Sequence, residues 1–359
     1  MEDKEMDIIV CLAIVFSGIA VAVMVQRSLP YIRFAYPTAK AEAVGNPFLS
    51  EGVLNQLLES RNITSFKNTV NSYKDFFIEG ERIEDIHASL DEYMIQSVES
   101  LKKESPKGLE EFYDRFIEFL DSHSLKSFVK SKITGVDIDI RPFSKTFARW
   151  IDQMKKLEKK EILELLMKKG VITDTSVSAE SPEIDVQIDK YVLKRMYESK
   201  VPKVAENTKK EFVERMTDII NIRNILRAKL NNLDVEKCKN LFLGEGREVP
   251  RWKFDEMCTS KDVEEMISRL QGTTYYEPLR QGYEDSKKYG NMELIEISLD
   301  KILLRTVRDL SNKNFPFFGP LLKFIVFRYY EIRNLKVISK GVYERLSKDR
   351  IKPLLVTGG

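Results

Sequence analysis

The side chains able to do catalytic or metal chemistry are few and scattered. Two histidines, His87 and His123, have no cysteine, second histidine or carboxylate at the spacing a metal ion requires. Three cysteines, Cys11, Cys238 and Cys258, form no Cys-x-x-Cys pair, and an odd, unpatterned set fits a reducing compartment better than a disulfide framework. Gly244-Glu245-Gly246 is a turn signal, not the Gly-x-x-x-x-Gly-Lys-Ser/Thr loop that cradles phosphate, and no nucleophile elbow occurs. Carboxylates are abundant but interleaved with lysines, as from Lys155 to Glu161, the habit of a solvated helix face. These patterns predict a chain with no catalytic residues, no cofactor and no metal.

What recurs is a cation beside a small polar residue. Arg333-Asn334 lies in Tyr329–Lys340, Arg223-Asn224 in Ile222–Lys229, and Lys126-Ser127 in a more worn copy, Leu125–Lys132. An Arg beside an Asn on a half-buried helix face can tie helix ends of neighbouring units through charge-assisted hydrogen bonds, which is structural work. Each of these signature helices follows an aspartate at nearly constant distance: 35 residues from Asp91 to Lys126, 34 from Asp189 to Arg223, and 33 from Asp300 to Arg333. The aspartates sit in motifs of their own, Ser89-Leu-Asp-Glu-Tyr93, Gln187-Ile-Asp-Lys-Tyr191 and Ser298-Leu-Asp-Lys-Ile302. The first reads as a capping box, and the other two place Asp in a first helical turn, where the helix dipole favours an anion. Two landmarks keeping step three times predict an internal repeat.

The elements that must carry these residues are helices. In the middle copy Ile222, Ile225, Leu226, Leu230 and Leu233 line one helical face, and Leu125, Phe128, Val129 and Ile133 do so in the first. A second echo runs at an offset of 200 residues, setting Leu54 against Phe254, Leu57 against Met257, Ile63 against Val263, Phe66 against Met266 and Val70 against Leu270. Phe147-x-x-Trp150-Ile151 is a fainter middle copy. Polar or Gly/Pro-rich linkers fall at 171–182, 243–250 and 312–320, and no alternating strand ladder is present. The expected fold is all-α: three similar helical units at 31–136, 137–233 (shortened) and 234–359. With 58 basic against 56 acidic residues, a net charge of +2 argues against a general nucleic-acid binder.

Ile8 to Gln26 runs 19 residues without a charge after an acidic start. A signal peptide needs a basic start and a core helix keeps a polar stripe, so 8–26 is expected to be a retained membrane helix within an N-terminal segment 1–30. Arg27, Arg33 and Lys40 follow closely, which puts the body in the cytoplasm and the N-terminus outside. Tyr31–Val44 reads as a separate short helix with Pro37 near its start.

With Glu331–Gly341, Asn221–Lys229, Arg247–Met257 and Gln271–Tyr276 in view, the chain resembles the C subunit of archaeal-type (A-type) ATP synthases, related to the d subunit of vacuolar ATPases. The resemblance extends from about Tyr31 to the end. It departs at Ala39–Ala43, where the family has an arginine-bearing helix, at Lys126-Ser127 in place of Arg-Asn, and in a middle unit without a Gly-Thr-x-Tyr element. The resemblance implies a funnel of three helical wedges around a pseudo-threefold axis, with no nucleotide site and no cofactor. It also implies a coupling role between the central shaft (D- and F-type subunits) and the membrane proteolipid ring. The alternative is a membrane-tethered helical-repeat scaffold.

Overall fold

The computed structural model describes residues 2–43, 49–73, 76–136, 138, 140–173 and 183–357, with side chains from Ile14 onward. Among the described residues there are seventeen α-helices, one closing 3-10 turn (Lys352–Leu354) and no strand.

Helix α1 (Glu2–Ala43) is a single element of 42 residues, about 63 Å long at 1.5 Å per residue, with Pro30 and Pro37 inside it. The expected break between a membrane helix and a short Tyr31–Val44 helix is therefore absent. Each proline forfeits one backbone hydrogen bond, and packing against the body holds the last turns in place. Phe34 and Ala41 are buried, Tyr31 and Phe34 meet the ring of Phe317 at 4.8 and 5.8 Å, and Thr38 Oγ1 donates to the Pro316 carbonyl at 2.6 Å. Among the described side chains, the stretch from Ile14 to Val25 is exposed, with Ile14, Phe16 and Met24 at 66, 69 and 68%. The side chain of Cys11 lies outside the described residues.

The stretch expected as the first unit holds α2 (Glu51–Leu58), α3 (Ile63–Asn71), α4 (Ile83–Glu104), α5 (Glu110–Leu120) and α6 (Ser122–Thr134). The stretch expected as the second holds α7 (Lys145–Met154), α8 (Lys159–Lys168), α9 (Glu183–Glu198) and α10 (Lys203–Leu230). The stretch expected as the third holds α11 (Val235–Lys239), α12 (Arg251–Cys258), α13 (Val263–Ser268), α14 (Tyr276–Tyr289), α15 (Glu293–Lys313), α16 (Phe318–Tyr343) and α17 (Lys348–Ile351). The 200-residue offset is realised to the residue at helix starts, Glu51 against Arg251 and Ile63 against Val263. The N-caps agree as well: Asn62 Oδ1 accepts from Ser65 N and Asp262 Oδ1 from Glu265 N, both at 2.8 Å. Phe147, Trp150 and Ile151, expected as the fainter middle copy, are buried on α7.

The three aspartates do not open their helices. Asp91, Asp189 and Asp300 are the ninth, seventh and eighth residues of α4, α9 and α15, which start upstream with their own first-turn acids: Glu84 and Asp85, Glu183 and Asp185, Glu293 and Glu296. Ser89, expected as a cap, is interior to α4 and accepts from Glu79 N at 3.1 Å. A Ser-x-x-Glu pattern is equally an i,i+3 pair within a helix, and the upstream acids win the N-terminus.

The helices bundle across the repeats. The pair α7 and α8 packs with α9 on α6; α12 and α13 pack with α15 on α10; α2 and α3 pack with α4 on α16. Each bundle thus takes its signature helix from one repeat and its other members from the next, and the last signature helix returns to the first repeat. The bundle on α6 encloses a small core of its own from Leu125, Phe147, Trp150, Leu163, Ile188 and Val192, while the other two share one large core. At roughly 1.5–3 kcal/mol for each large apolar side chain removed from water, these contacts set the arrangement.

Candidate functional site

The recurring cations and carboxylates meet at the bundle contacts, and they meet between repeats. Lys126 on α6 donates to Asp189 on α9 at 2.5 Å, and Lys130 to Asp185 at 2.5 Å. Arg223 on α10 donates to Asp300 on α15 at 2.7 Å, and Arg227 forks onto both Glu296 oxygens at 2.8 and 2.7 Å. Lys336 on α16 pairs with Asp91 on α4, and Ser339 Oγ shares a hydrogen bond with His87 Nε2 at 2.9 Å. Every seam has two rungs. The second partner lies three or four residues further along the signature helix and four residues back along the acidic one, as antiparallel neighbours with one helical turn between rungs require.

Burial decides how these groups behave. Burial raises the Asp189 carboxyl above its ordinary range, against the pull of Lys126. Burial is the strongest single influence on Arg223 and works to lower it, but Asp300, Tyr330, Glu296 and Tyr329 together outweigh it, so the guanidinium is held even more firmly as a cation. Asp300 also accepts from the buried Tyr330 hydroxyl at 3.0 Å, and burial together with that carboxylate pushes the phenol far up. His87 is lowered, first by burial and then by Lys336.

Of the sequence-selected residues, Lys126, Arg223, Asp91, Asp189 and Asp300 lie in the seams. Arg333 does not take the place that Lys126 and Arg223 hold. It sits 3.6 Å from Asp300 of its own repeat and donates to the Leu354 carbonyl at 3.2 Å, while Lys336, one turn on, reaches Asp91. The asparagines clamp backbone that follows their helices. Asn334 holds both polar atoms of Val356, at 2.7 and 2.9 Å, and Asn224 donates to Leu241 O at 3.2 Å.

Sequence reading missed a further position, five residues before each signature cation. It carries Asp121, Asp218 and Arg328. Asp121 Oδ2 accepts from Ser144 N at 2.8 Å, at the start of α7, and burial pushes its carboxyl up to about 6. Asp218, fully buried, accepts from the backbone of Arg247, Glu248 and Val249 at 2.8–3.0 Å, just before α12, and from Tyr275 Oη at 2.9 Å. Gly246 is needed there, since a Cβ would fall 1.9 Å from Asp218 Oδ1. Both carboxylates therefore pin the start of the next repeat. In the last signature helix Arg328 replaces them, buried against Glu331 at 2.5 Å and stacked by Phe76, Tyr93 and Phe324 at 5.3–5.6 Å. The five-residue register was available to find Asp121 and Asp218, but the change of sign at Arg328 hides it.

Chemically this is a set of inter-helix ties. Among the described residues, no group of three or more His, Cys, Asp or Glu side chains is placed to hold a metal ion.

The sequence pattern of the family described as "ATP synthase (C/AC39) subunit" matches residues 37–354. The chain belongs to that family. Relatives named as the C subunit of A-type ATP synthases align along almost the whole length. The Pyrococcus abyssi protein is 26% identical over 96% of this chain and 95% of its own. The Methanocaldococcus jannaschii protein is 22% identical over 99% and 94%, and the Pyrococcus horikoshii protein 25% over 96% and 95%. As a member of the C/AC39 family, the chain is an ATP synthase subunit, and the seams are the ties that hold its repeated helices together.

Proposed function

We propose that the chain is a non-catalytic coupling subunit on the rotor of an A-type ATP synthase. In this reading it joins the central shaft (D- and F-type subunits) to the membrane proteolipid ring during ion-driven ATP synthesis. One observation carries the reading: α16, the last signature helix, packs on and ion-pairs with α4 of the first repeat. An open solenoid contacts only sequential neighbours and leaves its terminal repeats facing solvent. Return of the third unit onto the first favours three wedges closed about a pseudo-threefold axis, a funnel suited to a socket on a rotation axis. It counts against the tethered scaffold, which needs an open concave face. A socket that transmits torque needs broad rigid contact rather than a reactive group, which fits a body held together by buried apolar packing.

The N-terminal helix extends the reading. Its last turns are fixed to α16 through Phe34, Thr38 and Phe317. Its apolar run from Ile14 to Val25 has no partner in the chain, and the charge-free stretch 8–26 suits a hydrocarbon core of about 30 Å. With Arg27, Arg33 and Lys40 on the cytoplasmic side, the body lies in the cytoplasm. A helix continuous with a rotor body has to turn with it, so this run occupies or caps the lumen of the ring. The test is to isolate the complex from solubilised membranes carrying an Ile19→Cys substitution and a thiol cross-linker. The expected result is co-purification with shaft and ring subunits and a cross-link to the proteolipid. Absence from the rotary complex would sink the coupling role, and a cross-link to a stator membrane protein would sink the lumen placement alone.

A further inference from the structure

The thiols of Cys238 on α11 and Cys258 at the end of α12 lie outside the seams, and no coupling role uses them. Their Sγ atoms are 2.8 Å apart, within an ångström of the roughly 2.05 Å of an S–S bond. Both side chains are buried. The approach is held by ties to α10 along the segment. Between the two cysteines the chain is tied to α10 by Asn224 at Leu241, by Asn221 at Leu243 and Gly244, and by Asp218 at residues 247–249. At the far end, Lys229 on α10 donates to the carbonyls of Cys258 and Ser260, each at 2.5 Å. The two sulfurs therefore have little freedom to part.

We propose that Cys238 and Cys258 are a reversible disulfide site, closed by hydrogen peroxide and reopened by thiols. Cys238 ionises first. The hydrogen bond from the Cys258 thiol lowers it against the opposing effect of burial, with the Lys229 ammonium helping and Asp255 opposing, while the same contact and burial push Cys258 up. The Cys238 thiolate attacks one peroxide oxygen and breaks the O–O bond, giving a sulfenic acid and, after protonation, one water. The Cys258 sulfur then attacks the sulfenic sulfur as its proton is lost, the S–S bond forms, and hydroxide leaves as a second water. The net reaction turns two thiols and one peroxide into one disulfide and two waters. Peroxide is small enough to enter a site that a protein thiol or bulky disulfide cannot reach without local opening. The bridge would lock α11 to α12 and stiffen the start of the third repeat.

The test uses the purified full-length chain in detergent with Cys11→Ser, so that two thiols remain. It is treated with peroxide, quenched, denatured and alkylated. Alkylatable thiols are expected to fall from two to none, with an intact mass lower by two hydrogens, a 238–258 cross-linked peptide in a non-reduced digest, and full recovery in dithiothreitol. In Cys258→Ser the product is expected to stop at a sulfenic acid on Cys238, trapped by dimedone. If that variant does not fold, the thiol count and digest of the unaltered pair decide alone. Two thiols still alkylatable after peroxide, sulfinic acid without a bridge, or disulfide-linked dimers would each overturn the proposal.

Discussion

Arg223 offers the sharpest quantitative test of the seams. Its guanidinium donates to Asp300 at 2.7 Å, and the two side chains are 22% and 10% exposed. Hydrogen bonds to charged groups contribute about 1.5–3 kcal/mol net, and removing one member of a buried pair costs about 3–5 kcal/mol when the other is left alone. Asp300 is not left alone, because Tyr330 stays at 3.0 Å and Arg333 at 3.6 Å. Methionine at 223 also keeps the apolar stem of the side chain. Arg223→Met is therefore expected to cost about 2 kcal/mol. With an unfolding entropy of about 2.1 cal/mol/K per residue, the 359-residue chain should melt roughly 3 °C lower. Arg227 is the internal control. Its fork on Glu296 is better in geometry, but it is 57% exposed, and surface pairs contribute about 0–1 kcal/mol. Arg227→Met should lower the melting temperature by no more than about 1 °C. Thermal unfolding of the purified chain followed by circular dichroism measures both. A double-mutant cycle of Arg223→Met with Asp300→Asn should give a coupling of about 1–2 kcal/mol. Equal costs at 223 and 227, or additive effects of Arg223→Met and Asp300→Asn, would refute the claim that burial sets the strength of the ties.

Two further expectations follow from the same contacts. Lys336→Glu should face Asp91 with a like charge and destabilise by about 1 kcal/mol, and adding Asp91→Lys should restore most of the loss; lack of rescue in the same melting assay would mean that this seam is not electrostatic. Asp121 has a folded pKa of about 6 against an unfolded value near 3.9, so between those values the folded state binds more protons than the unfolded one. Stability from this group is then present at low pH and lost as pH rises from about 4 to 6, by on the order of 3 kcal/mol, and the difference between wild type and Asp121→Asn across that window should trace it. A flat difference would place the carboxyl in its ordinary range.

Much of the architecture is local, and local features are legible in a single sequence. The apolar face of Ile222, Ile225 and Leu226 marks a helix because 3.6-residue periodicity is a property of neighbours in the chain. Leu57 against Met257 and Phe66 against Met266 reveal a repeat because the same packing problem is solved twice with similar side chains. The cations Lys126 and Arg223 and the acids Asp91, Asp189 and Asp300 could be picked out by spacing. Their partners could not. Arg223 meets an aspartate 77 residues away in the next repeat and not the one 34 residues before it, because the signature helix buries its apolar face against the following bundle. The same cause moved the third tie from Arg333 to Lys336 and let Arg328 stand where Asp121 and Asp218 stand. It also kept α1 whole through Pro30 and Pro37, since packing of Phe34 and Ala41 on the body, not backbone propensity, holds those turns helical. Sequence periodicity specified the helices and the spacing of their recurring residues; which faces meet, and that α16 packs back onto α4, is settled by non-local burial that no single stretch of the chain encodes.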